Sequence, residues 1–246
     1  MVREDRDPRW ILVPCPGFPV HPGEAFHMGW QSASAGYFFD GMEMIAALAP
    51  GAGGIEPLQG AVELLLPVRD TVNTRMDDLA RLCSAAFGRT WTAPRSVDEY
   101  RLLLRHGVFE IVNRWSYIAD IQTVNRLQAW FYAGFGLGRG ETVFRGLRLH
   151  ARLHEIVGDA PPLPDMPLNL GRMAREGARQ MSTAAEEDDL RTVRPLFEDC
   201  ARRLDGAARH CSGPLAEPRP RMFEEDLAAV LDTARRVELD FAGRRN

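Results

Sequence analysis

Gly134-Phe135-Gly136-Leu137-Gly138-Arg139-Gly140 places a glycine at every second position of a seven-residue run. Its meaning depends on what precedes it. Ser96 with Glu99 has the form of a capping box, which satisfies the first free N–H groups of a helix. From there Leu104, Val108, Ile111, Trp115, Ile118, Ile121, Val124, Leu127 and Phe131 recur at mostly three- and four-residue steps. This stripe predicts one helix over 97–133, about 50 Å long and the spine of the fold. Glycine is a poor helix former and a frequent C-terminal cap, so the run 134–140 is expected to stop that helix. A dinucleotide-binding fingerprint is excluded, because it needs a preceding strand and a βαβ unit, and here a helix precedes.

The rest of the body carries the same period. Leu65, Val68, Val72, Met76, Leu79 and Leu82 predict a helix over 60–87, which Pro67 would kink unless the helix begins there. Helices are also predicted over 141–157, 168–184, 187–210 and 222–242. Pro-rich breaks separate them at 159–167 and 213–220. Residues 1–60 differ. Pro14, Pro16, Pro19 and Pro22 crowd together and glycines recur, which argues against a long element there. Trp10–Val13 could form a short strand and Tyr37–Leu48 a short helix. Trp10, Phe18, Phe26, Trp30, Phe38 and Phe39 supply enough aromatic surface to pack this region on the body.

The expected fold is therefore mostly α: a single helical-bundle-like domain of five to seven helices with an extended Pro/Gly/aromatic-rich N-terminal arm. The arm is 1–60 and the helical domain 61–246, with a subdivision at the 159–167 linker as the alternative.

Composition excludes several functions. All 30 Lys+Arg residues are arginine, in a chain of 246 residues. Together with abundant Ala, Gly and Pro, this reads as the codon bias of a high-GC bacterium. Without lysine there is no Schiff-base or pyridoxal phosphate (PLP) chemistry and no P-loop nucleotide site. No NAD site is expected either. A net charge of −4 argues against general nucleic-acid binding. No apolar stretch is long enough to predict a membrane span. The charged N-terminal residues do not resemble a signal peptide, and the four cysteines form no CxxC pair, so a cytoplasmic location is expected.

The best chemical candidate is the pair His150 and His154. Residues four apart share a helix face, and that spacing lets two imidazoles grip one metal ion. Both fall on the side of Val143, Leu147 and Val157, which predicts that they point inward. A divalent transition metal, zinc or iron, is the cofactor such a pair would take, with His106 as a further ligand. His21, Glu24 and His27 form a second polar group, read as loop polarity. Arg145, Arg148 and Arg152 form a stripe on the opposite side, and Arg172, Arg175 and Arg179 form another. If the two met across a helical hairpin, they could hold a phosphate or carboxylate.

Two functions follow as expectations. The first is a small-molecule metalloprotein or metalloenzyme holding its metal by the His-x3-His pair. The second is a non-catalytic binding or assembly subunit that contacts a partner protein through its aromatic arm and long amphipathic helix. The segment from His150 to Pro164 resembles the final helix of the metal-binding DinB bundles, in which a paired histidine is followed by a glycine and a Pro-rich exit. The resemblance covers about fifteen of the 246 residues. It implies a metal on the histidine pair, and the long C-terminal extension departs from that pattern.

Overall fold

The computed structural model describes residues 18–158, 166–186, 190–212 and 223–243. The predicted strand Trp10–Val13, most of the 159–167 linker and the 213–220 break lie outside these residues. Among those described, regular structure is entirely helical. The elements are α1 (Pro22–Ser34), α2 (Gly36–Leu48), α3 (Gln59–Phe87), α4 (Val97–Leu103), α5 (Phe109–Ile118), α6 (Ile121–Val157), α7 (Met166–Glu186), α8 (Arg194–Ser212) and α9 (Glu224–Gly243). A short 3-10 turn, Glu56–Leu58, leads into α3, and one wide π turn, Leu104–Val108, joins α4 to α5.

The expected spine forms, but it is cut and extended. The apolar stripe does not run through 97–133 as one helix. Ala119 is extended, and the Asp120 carboxylate accepts hydrogen bonds from the N–H groups of Gln122 and Thr123 at 3.0 Å each. A strong N-cap thus wins over continuation. The break takes Ile121 off the stripe and leaves it 69% exposed.

The glycine run does not stop a helix. It lies inside α6, a helix of 37 residues. Successive residues turn about 100°, so glycines two apart face nearly opposite ways. Gly134 and Gly138 face α1. A Cβ on Gly138 would stand 2.5 Å from the Trp30 carbonyl oxygen and 2.8 Å from the Ser34 nitrogen. On α1, Gly29 returns the contact, where a Cβ would lie 2.8 Å from the Phe135 nitrogen. Gly136 and Gly140 face the other way, toward Gly177 and Met181 of α7, Val230 of α9 and Leu204 of α8. Glycine weakens an isolated helix by about 1 kcal/mol relative to alanine. Here the missing side chains let two helix backbones come together, which no other residue permits.

Helix α6 is consequently the axis, with α1 on its Gly134/Gly138 face and α7, α8 and α9 on its Gly136/Gly140 face. Residues 22–34, expected within an extended arm, form α1, and the short helix expected over Tyr37–Leu48 is α2. Pro22 does not forbid α1, because it occupies the first turn, where its missing N–H has no helical partner to lose. His21 caps that helix: its Nδ1 accepts from the Gly23 N–H at 3.1 Å, and Glu24 accepts from the His21 N–H at 3.3 Å. The arm's aromatics do pack, with Phe18, Phe26 and Phe39 buried and Trp30 and Phe38 partly so. Pro67 sits inside α3. It offers no N–H to the preceding turn, and the Tyr37 hydroxyl donates to the nearby Leu64 carbonyl at 3.2 Å.

Two hydrophobic clusters result. The larger spans both sides of α6 and includes Trp115, Trp130, Phe131 and Phe144. The smaller joins α2 and the start of α3 to the C-terminal part of α6 through Ile45, Leu65, Leu149 and Leu153.

Candidate ligand-binding cleft

The α1–α2 junction at Ala35 leaves carbonyl groups without full helical partners. Two hydroxyls take them. Tyr100 Oη donates to the Ser32 carbonyl at 2.7 Å, and Thr142 Oγ1 donates to the Ala33 carbonyl at 2.8 Å. Tyr100 also stacks on Phe39, with ring centroids 4.7 Å apart. These contacts fix α4 and α6 around the junction, and a cleft of about 560 Å³ opens beside it.

Its apolar lining is Met44 and Ala47 from α2, Leu104 from the π turn, Phe135 from α6 and Met173 from α7. Its charged lining comes from two walls. On the α2–α4 wall, Arg101 lies 3.6 Å from Asp40, 3.0 Å from Glu43 and 3.9 Å from Asp98. Burial raises the Asp40 carboxyl above its ordinary pKa, with Arg101 opposing. On the α6–α7 wall, Arg139 pairs with Glu176 at 2.8 Å and Gln180 at 3.3 Å, and its guanidinium lies over the Phe135 ring. Burial lowers the Arg139 pKa, Arg172 and Arg179 add to that, and Glu176 works against it. Arg172 is exposed in the cleft and has no carboxylate within ion-pair distance among the described residues.

Sequence reasoning passed over Arg139 because it sat within a supposed helix stop. The available signal was a lone charge among glycines and aromatics from Phe131 to Gly140. A planar guanidinium suits such a place, because it stacks on a ring while pairing at its edge.

The expected metal pair is not equivalent. His150 is 5% exposed, while His154, one turn on, is exposed. His150 alone points inward. Burial pushes its pKa below the ordinary histidine value, and the neighbouring His154 and His210 push the same way. His106 is exposed on the π turn. Among the described residues, no group of three His, Cys, Asp or Glu side chains is arranged to hold a metal.

Each member of the first arginine stripe is paired with a carboxylate. Arg145 pairs with Glu141 at 3.1 Å, Arg148 with Glu224 at 3.4 Å and Arg152 with Glu155 at 2.9 Å. Glu141 belongs to a buried network. It also accepts from Arg75 at 3.2 Å and from the Trp30 indole at 3.3 Å, and Arg75 lies over the Trp30 ring. His27, from the other expected polar group, pairs with Glu238 of α9 at 3.4 Å.

A wider groove runs between α2, α3 and the 88–96 connection, with Phe38, Met42, Leu66 and Trp91 along it. No helix among the described residues is long and apolar enough to cross a membrane. No family model, curated protein or solved structure matches this chain.

Proposed function

We propose that this protein binds a small molecule in the cleft between α2, α4, α6 and α7. The observation that carries the reading is that a half-buried arginine, Arg139, and a half-buried carboxylate, Asp40, line one cleft together with the apolar Met44, Leu104, Phe135 and Met173. Ligand sites of about 300–1,000 Å³ typically combine apolar walls with a few placed polar groups, and this cleft falls in that range. The cleft favours binding over covalent catalysis. Among the described residues its lining contains no Cys, His or Ser, and the hydroxyls of Tyr100 and Thr142 already donate to backbone carbonyls. A screen of small organic ions by NMR tests the reading. Binders should shift the amide signals of Gly36, Leu104 and Met173 together. A screen whose binders all shift signals elsewhere overturns it.

A second reading keeps the metalloprotein, with a divalent ion on His150 and a neighbouring imidazole. Its support is that His154 and His210 lie close enough to His150 to depress its proton affinity. Zinc held this way would complete its shell with water or a ligand. Titration calorimetry with zinc decides it: binding that is lost in His150→Gln supports the site, and no uptake of zinc removes it.

A further inference from the structure

The two walls of the cleft carry opposite excess charge. On the α6–α7 side two guanidiniums, Arg139 and Arg172, line the cleft, and among the described residues the carboxylate paired there is Glu176. On the α2–α4 side two carboxylates that line the cleft, Asp40 and Glu43, share one guanidinium, Arg101. Tyr100 stands between the poles, within electrostatic reach of both Asp40 and Arg139. The floor joining them is apolar, formed by Met44, Leu104, Phe135 and Met173.

We infer that the cleft selects a two-ended zwitterion: an anionic head on the Arg172–Arg139 wall, a cationic amine or amidine on the Asp40–Glu43 wall, and an aliphatic or aromatic body between. This rests on the reading of the cleft as a ligand site and adds the class of ligand. Among the described residues Arg172 is the group with an unpaired fork for a carboxylate or phosphate, since Arg139 already holds Glu176 and Gln180. Asp40 is the half-buried acid whose proton affinity a cationic ligand would lower. A ligand with a single charge leaves one wall uncompensated and also gives up the water it displaces there. Selection therefore lies in the difference between two-ended and one-ended molecules.

The test uses the full chain and four probes in titration calorimetry: γ-aminobutyrate and ε-aminocaproate as zwitterions, caproate and hexylamine as one-ended controls. At least one zwitterion should bind about tenfold more tightly than either control. Arg172→Gln should remove most of that preference, and Asp40→Asn should reduce the zwitterion to the affinity of caproate. Arg172→Glu should shift preference toward hexylamine. If caproate equals the zwitterions, or Asp40→Asn changes nothing, the two-ended selection is overturned while the cleft remains a ligand site. If none of the four binds, the selection is again overturned, and the screen described above decides separately whether the cleft binds ligands at all.

Discussion

Gly134 of α6 and Phe26 of α1 are in backbone contact: a Cβ at Gly134 would overlap the Phe26 carbonyl oxygen and stand 3.0 Å from the Trp30 nitrogen. The obstacle is main chain, which cannot swing aside as a flexible side chain would. The helices must separate, and the large side chains around them, Phe26, Trp130 and Phe131, would lose contact. Gly134→Ala should therefore destabilise by about 2 kcal/mol or more despite alanine's better helix propensity. Gly206 of α8 is the control, since its nearest obstacle is the end of the Arg209 side chain at 3.9 Å. Gly206→Ala should stabilise by about 0.5–1 kcal/mol. Urea denaturation of both variants reads the contrast.

Glu141 anchors a charge network in the interior, with its side chain 5% exposed between Arg75 and Arg145. Removing one member of a buried ionic set leaves its partners uncompensated. Glu141→Ala should cost about 3 kcal/mol. Arg75→Met combined with Glu141→Met should cost less than the two single changes added together, by about 1 kcal/mol. Strict additivity in a double-mutant cycle would show that the pair is not coupled.

His150 makes stability depend on pH. Its folded pKa is depressed by burial and by His154 and His210, below an unfolded value of 6.5. The unfolded chain therefore takes up the proton first as pH falls. The stability this group contributes is full above about pH 6.5 and declines below it, until the folded pKa is passed. His150→Gln should flatten that slope. Thermal melts at neutral and mildly acidic pH check it, and equal losses of Tm in both proteins would contradict it.

The described cysteines differ in access. Burial pushes the Cys83 thiol up to about 12 and Cys200 up to about 11, and both are buried. Cys211 is raised as well but partly exposed. Thiolate is the reactive form, so Cys83 and Cys200 should be alkylated only as the chain unfolds, and Cys211 well before them. Peptide mapping after a timed iodoacetamide pulse on the native protein measures the order.

Much of this architecture was legible along the chain. The apolar period in 60–87 matches α3, and the stretches around 168–184 and 222–242 match α7 and α9 within a few residues. Ser96 caps α4 as its sequence suggested, accepting from the Glu99 N–H at 3.2 Å. Such features depend on neighbours three or four residues away, and so the sequence alone settles them. Three other features depend on distant partners. A glycine run can end a helix or let another helix touch it, and only the presence of α1 on one face and α7 on the other selects the second. An i, i+4 histidine pair can share a buried face or straddle its edge, and only the packing around α6 buries His150 and leaves His154 outside. Arg139 gains its meaning from Glu176 and Arg172 on a helix that lies beyond a Pro-rich linker. Helix periods are set by local geometry, whereas close approach, burial and charge pairing are properties of surfaces that meet only when the chain has folded.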